Sequence, residues 1–268
     1  ADNLTWKFLL LAYDAIGNVL TVTAPIDGSN TAVTTNSYDA FGNVLTTTDP
    51  RGNIGYFFYD KLNRLTLQVD QEGYATATGY TIGNEVASVT RHATKITAVI
   101  TPGTPPTVTI NASEDATTSF ARNKLGQVTR VTDAMGFYEN YTLNAFGDRV
   151  TVRNKLGGNT SNVFDKRGLL VSETLPMNSV NSAGTVVATS VTNTFQYDAR
   201  GNRTQMVEAS GLAEARTTNY VYDKVDRVTQ TTGNAVAVAS DSVLGSSGAA
   251  VPTETIIYDK RGNVIETK

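Results

Sequence analysis

Short stretches of the chain alternate apolar with polar residues. Leu65, Leu67 and Val69 are separated by single polar residues, which is the two-residue period of a half-buried β-strand. The phase is not constant, because Val150 and Val152 occupy slots that are polar in the earlier segment. Both faces of the predicted sheet therefore carry some polar residues. A sheet wetted on both sides, such as the wall of a hollow body, tolerates this pattern better than a compact sandwich does.

A motif of the form Tyr-Asp-x-x-Gly-Asn/Arg-Val/Leu punctuates these segments. Its fifth position falls at residues 17, 42, 63, 84, 126, 147, 168, 201, 226 and 262, so the recurrent spacing is 21 residues and insertions account for longer intervals. The copies around residues 126 and 147 lack the aromatic residue. The recurrence predicts one all-β repeat array over residues 1–268, built of β-hairpins. The motif positions to which we assign a structural role are Tyr13, Asp14, Gly17, Tyr38, Asp39, Gly42, Tyr59, Asp60, Tyr80, Asp165, Gly168, Tyr197, Asp198, Gly201, Tyr222, Asp223, Tyr258, Asp259 and Gly262.

The motif has the chemistry of a turn. Its fifth position is Gly, Asn or Asp, which accept positive φ at little cost, and the Asp at its second position can bond its own turn backbone. A second turn pattern begins ten residues after the motif Asp or Asn, with Gly three residues later. It occurs at Asp49, Asp70, Asp133, Asn154 and Glu208. Each repeat is therefore predicted to hold two turns and two short strands.

Four insertions interrupt the array, near residues 24–35, 93–118, 176–190 and 233–252. The segment 93–118 is either a degenerate repeat or a longer excursion from the sheet. Loops that project from a regular scaffold are common recognition sites, although drift in loop length is the simpler interpretation here.

Composition and charge exclude several classes of function. The net charge is −3 with no basic block, which argues against a nucleic-acid partner. The absence of cysteine excludes disulfides, thiolate metal sites and a cysteine nucleophile. No stretch approaches the roughly 20 apolar residues of a membrane span, and the apolar run Phe8–Ala12 is too short for a signal peptide. The wealth of Thr, Asn and Gly favours a secreted or cell-surface protein.

Candidate chemistry is sparse. His92 is the one histidine, so any Ser-His-Asp triad or zinc site would depend on it. The motif carboxylates could be calcium ligands or an acid–base pair, but one carboxylate per repeat gives neither a dense calcium loop nor convergence. Phe57, Phe195 and Tyr220 could stack on a glycan, but their spacing is that of the repeat and predicts ring packing between repeats. We therefore expect no enzyme activity and no cofactor.

The recurring motif resembles the YD repeat of the RHS family, which includes bacterial polymorphic toxins, the cocoon-forming components of Tc insecticidal toxins, and teneurins. The resemblance runs from Tyr13 to Lys268. It implies a β-strip or solenoid that spirals into a hollow shell, which in toxins encloses a cytotoxic C-terminal domain. No self-cleaving core segment, variable toxin domain or export signal is recognisable, so we expect a section of a larger shell.

Three functions remain open at this point. The first is a structural module of an RHS-type shell that encloses or displays an effector domain. The second is an extracellular adhesion or carbohydrate-binding module, and the third is a self-assembling filament or sheath subunit. The expected partners are neighbouring repeats of the parent chain or copies of this chain, with an enclosed toxin domain or surface glycans as further candidates.

Overall fold

The computed structural model describes residues 8–27, 30–180, 183–239 and 247–268. Within these ranges the structure contains strands, turns and loops but no helix, and hence no helix long and apolar enough to cross a membrane. The all-β fold predicted from the sequence is confirmed. The chain divides into two compact units, Ala1–Tyr138 and Glu139–Lys268, here called unit 1 and unit 2.

Unit 1 is an antiparallel meander, in which each strand from β1 to β10 pairs with the next along the chain. Its strands are β1 (Leu10–Tyr13), β2 (Val19–Asp27), β3 (Asn30–Tyr38), β4 (Val44–Thr48), β5 (Ile54–Tyr59), β6 (Leu65–Val69), β7 (Ala75–Tyr80), β8 (Val86–Arg91), β9 (Ala116–Arg122) and β10 (Val128–Thr132).

Unit 2 repeats the meander from β11 to β18, after which β18 pairs with β21 and β21 with β22. A separate hairpin, β19–β20, interrupts it. The strands are β11 (Tyr138–Leu143, whose first residue belongs to unit 1), β12 (Arg149–Arg153), β13 (Asn159–Phe164), β14 (Leu170–Val180), β15 (Val186–Tyr197), β16 (Arg203–Glu208), β17 (Arg216–Tyr222), β18 (Val228–Thr232), β19 (Val236–Ala239), β20 (Ser247–Ala250), β21 (Thr253–Tyr258) and β22 (Val264–Thr267).

Every motif copy forms the same hairpin turn. In the first copy the N–H of Asp14 donates to the carbonyl of Asn18 at 2.9 Å, and the N–H of Gly17 donates to the carbonyl of Asp14 at 3.3 Å. Gly17 has φ of 94°, and the strand register shifts at Tyr13. This is a three-residue loop closed by a bulge residue in the left-handed region. All ten fifth-position residues have positive φ, including Asn63 at 58°, Asn84 at 71° and Asp226 at 64°.

The second turns follow the same geometry with one departure. At Asp49, for example, the N–H of Gly52 donates to the Asp49 carbonyl at 3.0 Å. The turn predicted at Glu208 was placed one residue too early. Glu208 is the last residue of β16, and the turn bond runs from the N–H of Leu212 to the carbonyl of Ala209. Glutamate is longer than Asp or Asn by one methylene and does not close the short turn that they form.

Successive connections in a meander alternate between the two ends of the strands. Within each unit, all motif turns therefore lie at one end, here called the motif end, and all second turns lie at the other, the insertion end. Each insertion replaces a second turn. Residues 24–35 lengthen β2 and β3, 176–190 lengthen β14 and β15, and 233–252 contain β19 and β20. Residues 28–29, 181–182 and 240–246 of these insertions lie outside the described residues.

The segment 93–118 is an excursion from the sheet and not a degenerate repeat, because no strand forms until β9 begins at Ala116. Its side chains cover one face of β5–β7. Phe58, Leu67, Val69 and Ala75 are buried there, with Ile96, Ile100 and Val108 of the excursion packed against them. The strand registers place Phe58 opposite Leu67 and Val69 opposite Ala75. Among the described residues, Tyr141 is the one other buried apolar side chain.

Candidate functional site

The motif carboxylates accept hydrogen bonds from the turns that they close. The Asp39 carboxylate accepts the N–H groups of Phe41 and Asn43 at 2.8 and 2.9 Å, and the Asn43 side-chain amide at 2.8 Å. These bonds, of which the one from the Asn43 side chain is the largest contribution, hold the pKa of Asp39 below its usual value against the opposing effect of desolvation. The same direction holds for the pKa of Asp60, where the Arg64 side chain is the largest contribution. The motif Asp is therefore an ionised turn anchor.

Five of the seven motif tyrosines link consecutive repeats, a role that the sequence analysis missed. The hydroxyl of Tyr38 donates to the backbone carbonyl of Val19 at 2.8 Å. Val19 is the seventh position of the preceding motif copy, so the bond ties the first position of one repeat to the seventh position of the one before. The same bond recurs from Tyr80 to Leu65, Tyr197 to Leu170, Tyr222 to Arg203 and Tyr258 to Val228, at 2.8 to 2.9 Å.

At two junctions where the motif tyrosine is absent, another donor makes this link. Arg122 stands at the first position of a degenerate copy, and its guanidinium donates to the seventh-position carbonyl of Val86 at 3.0 Å. The next degenerate copy is followed by Phe164, which has no hydroxyl. There the Asn162 side chain donates to the carbonyl of Arg149 at 2.9 Å. The preserved feature is a hydrogen-bond donor to one carbonyl, and not the aromatic ring.

A second link joins the sixth position of one repeat to the fifth position of the next. Wherever the fifth position is not Gly, its side chain accepts a hydrogen bond from the preceding repeat. The three donor–acceptor pairs are Asn43 to Asn63 at 3.2 Å, Arg64 to Asn84 at 3.2 Å and Asn202 to Asp226 at 2.6 Å. Asn and Asp at this position therefore combine tolerance of positive φ with a bond that fixes the register of the repeats.

Arginines add a third link in unit 2. The Arg167 guanidinium donates to the carbonyl of Asp198 at 2.7 Å. Arg200 donates to the carbonyls of Asp223 and Lys224 at 3.0 and 2.9 Å, and its Nε lies 3.1 Å from the Asp226 carboxylate. Both arginines occupy the fourth motif position. In the first three copies of unit 1 that position holds exposed apolar residues, namely Ile16, Phe41 and Leu62, as it does in unit 2 at Phe146 and Val225.

The aromatic residues two positions before the motif are partly buried, and a cation covers some of them. The Arg203 guanidinium lies 5.1 Å from the ring centre of Tyr220 and 5.8 Å from that of Phe195. Phe57 lines a cavity that also touches Phe41 and Tyr59. The rings therefore contribute to the packing of neighbouring strands, and Phe57 also faces open space.

His92 is paired with Asp115 at the base of the excursion. Their side chains are 9% and 7% exposed and lie 2.8 Å apart, from Nδ1 to Oδ2. The Asp115 carboxylate also accepts the N–H groups of Ala93 and Asn111 at 2.8 and 3.1 Å. The bond from Ala93 is the largest contribution that lowers the pKa of Asp115. This pair fastens both ends of the excursion to each other. Ser88, four residues before His92 in the sequence, lies in β8 opposite Ser119 of β9.

No group of three or more His, Asp or Glu side chains within the described ranges is placed to hold a metal ion. Each motif carboxylate stays in its own turn, bound to groups within four residues of it, as Asp14 and Asp259 are. The structure therefore uses the motif carboxylates within single turns and most motif tyrosines as links between repeats, and it does not gather them into one convergent site.

Comparisons with known proteins agree with this architecture. A family model described as RHS Repeat matches residues 13–54. Among curated protein sequences, none matches the chain. A crystal structure of TcdB2-TccC3-Cdc42 is similar over 96% of this chain, with a TM-score of 0.52 and 15% identity. A crystal structure of TcdB2-TccC3 is similar over 96%, with a TM-score of 0.52 and 14% identity.

The Tc holotoxin pore of Photorhabdus luminescens is similar over 94% of this chain, with a TM-score of 0.50 and 15% identity. At these identities the likeness establishes a shared fold. The chain spans 15%, 16% and 15% of the length of the three matched chains.

Proposed function

We propose that this chain is a structural module of an RHS-type toxin shell. The match of residues 13–54 to the RHS Repeat family model and the fold shared with TcdB2-TccC3-Cdc42 support the proposal. The observation that carries the proposal is the recurring link from one repeat to the seventh-position carbonyl of the repeat before it. Among the described residues, Tyr, Arg or Asn makes this link at all but one of the junctions within the two units. The motif residues fix the register of the strands and the geometry of the turns, which is the role of residues in a structural wall and not in a catalytic site.

The repeats of the two units belong, in this proposal, to one longer array. The motif spacing of 21 residues continues from Gly126 to Gly147, across the boundary between the two units, which supports a single array. We propose that this array is part of a longer strip that curves around an effector polypeptide. The partners are then neighbouring repeats and the enclosed polypeptide, and the protein acts outside the cell that makes it.

Protease protection tests enclosure directly. The protein expressed from its complete gene is digested under native conditions, and its effector polypeptide is followed by immunoblot. The same effector expressed alone is the matched control. We expect the enclosed effector to survive at protease concentrations that degrade the isolated one. Equal digestion rates for the two forms would contradict the proposal.

The alternatives make different predictions. An adhesion module binds a glycan array, and the binding is lost in Phe57→Ala or Tyr220→Ala. A filament subunit elutes as large, concentration-dependent assemblies in size-exclusion chromatography, because free strand edges favour self-association. A stable monomer at high concentration counts against the filament, and absence of glycan binding counts against adhesion.

A further inference from the structure

The junction between the repeats of Tyr38 and Tyr59 lacks the link that the other junctions within each unit possess. By analogy with the other motif tyrosines, the Tyr59 hydroxyl should donate to the backbone carbonyl of Val44, the seventh position of the preceding copy. Among the described residues, neither Tyr59 nor any other side chain donates to that carbonyl. The residue two positions before the motif, which supplies an amide at Asn162, is Phe57 here and has no donor.

A cavity of about 490 Å³ lies at this junction. Its walls are the side chains of Phe41, Phe57 and Tyr59, with Asp39 beside them, and Pro105 of the excursion closes one side. A cleft of apolar and aromatic walls with a few polar groups is the usual form of a binding site. Phe41 is 79% exposed, so the cavity is reached from solvent.

The charges around the cavity favour a cation. The Asp60 carboxylate already pairs with the Arg64 guanidinium at 2.6 Å. Asp39 has hydrogen-bond donors but no cationic partner among the described residues. Burial, together with the charge of Asp39, raises the pKa of Tyr59. Lys61 also lies at the cavity, with an exposed side chain.

Other junctions of the same chain show that a guanidinium group fits beside the motif tyrosine or at the seventh-position carbonyl. At the next junction, the Arg64 guanidinium lies 4.6 Å from the ring centre of Tyr80 while pairing with the Asp60 carboxylate. At another, the guanidinium of Arg122 donates to the seventh-position carbonyl. At the Tyr59 junction the residue equivalent to Arg64 is Asn43, which is too short to reach over the ring. A planar guanidinium suits both tasks, since it stacks on aromatic rings and pairs with carboxylates.

We propose that the cavity at Tyr59 binds an arginine side chain presented by another polypeptide. The guanidinium lies over the Tyr59 ring, pairs with the Asp39 carboxylate and donates to the carbonyl of Val44, which completes the missing link from outside the chain. The inference does not depend on the shell proposed above. It concerns one junction, and it holds equally for an enclosed, neighbouring or extracellular polypeptide.

The test is titration of the full chain with the peptide acetyl-Gly-Arg-Gly-amide, followed through the ring resonances of Tyr59 and Phe41 by NMR. The neutral analogue with citrulline in place of arginine has nearly the same shape and is the matched control. We expect saturable shifts with a Kd of roughly 1–10 mM, as suits a single side chain. The citrulline peptide should bind at least about tenfold more weakly, because it lacks the charge that pairs with Asp39.

Two variants locate the site. Asp39→Asn keeps the turn, because Asn123 occupies the same position and accepts the same two backbone N–H groups, but it removes the charge and should weaken arginine binding about tenfold. Asp198→Asn makes the same change at a distant junction and should leave binding unaltered. Asn43→Arg supplies the guanidinium from within the chain and should abolish binding of the peptide.

Three results would overturn the proposal. They are equal affinity for the arginine and citrulline peptides, unchanged binding in Asn43→Arg, and no saturable shift at about 50 mM peptide, well above the expected Kd. If Asp39→Asn fails to fold, Asn43→Arg still decides the matter, because it keeps every existing carboxylate. Failure here leaves the protease-protection test of the shell unaffected.

Discussion

The covered part of unit 1 and the open sheet of unit 2 are held together in different ways. In β5–β7 the excursion buries Phe58 and Val69 to 2% and 1% exposure. In unit 2, Arg167 and Arg200 join neighbouring turns at the motif end. Both regions share the tyrosine link. The difference teaches that the repeat needs no apolar core to define its register, since polar links at the motif end supply it.

Acid should act on many turns at once and should affect unit 2 first. The pKa values of Asp165, Asp223 and Asp259 in unit 2 are lowered. A carboxyl whose folded pKa is depressed contributes stability that is present above its unfolded pKa and is lost as the pH falls through the folded value. The loss therefore begins below about pH 4.

Unit 1 loses the equivalent contribution from its own carboxylates, such as Asp39 and Asp60, but keeps its apolar cluster. Hydrogen exchange measured from pH 5 to pH 2 and corrected for intrinsic rates should show loss of protection in β15–β18 before β5–β7. Loss of protection in both regions at the same pH would remove the distinction drawn between them.

Among single substitutions, truncation of the buried ring of Phe58 should have the largest effect on stability. Phe58→Ala removes a side chain under the excursion and should lower the free energy of unfolding by about 3–5 kcal/mol. Phe195→Ala, at a partly exposed ring in unit 2, should cost less than about 2 kcal/mol. Urea denaturation followed by circular dichroism compares the two. Equal costs would mean that the excursion does not create a core.

Backbone strain comes next. Gly201 has φ of 93°, and Gly201→Val forces a β-branched residue into the left-handed region, at a cost of about 1–2 kcal/mol. Gly201→Asn should cost much less, because Asn63 and Asn84 occupy the equivalent position at positive φ. Thermal unfolding of the two variants checks this, and an equal loss in Tm would contradict the turn geometry.

The smallest expected effect on stability is the difference between removing the hydroxyl of Tyr222 and removing that of Tyr59. Tyr222→Phe removes the hydroxyl that donates to the Arg203 carbonyl and should cost about 1 kcal/mol. Tyr59→Phe should cost close to nothing, since Tyr59 makes no such bond among the described residues. Chemical denaturation of both variants gives the comparison. A negligible cost at Tyr222 would show that the ring and not the hydroxyl carries the link, and a cost of about 1 kcal/mol at Tyr59 would contradict the absence of a bond there.

The features that could be predicted from the sequence are those formed within a single turn. Positive φ at Gly17, Asn63 and Asp226 follows from which residues tolerate that conformation, and the bond from the Asp14 carboxylate lies within one turn. The link from Tyr38 to Val19 spans 19 residues, and a motif alone does not state which carbonyl a hydroxyl will meet. The replacement of tyrosine by Arg122 could have been suspected from its place at the first position of a degenerate copy.

The excursion was harder to predict, because its apolar residues, Ile96, Ile100 and Val108, have neither the strand nor the helix period. They pack as separate contacts on a face that is defined by other strands. The cavity at Tyr59 was missed for a related reason. It arises from what Phe57 and Asn43 fail to supply, and such an omission becomes visible only against the links made elsewhere in the array.

Electron cryo-microscopy of the protein expressed from its complete gene tests the central claim most directly. The account predicts that unit 1 and unit 2 each form a stretch of β-wall, with density for another polypeptide enclosed behind it. A strip with solvent on both sides and nothing enclosed, or strips stacked end to end in a filament, would contradict it.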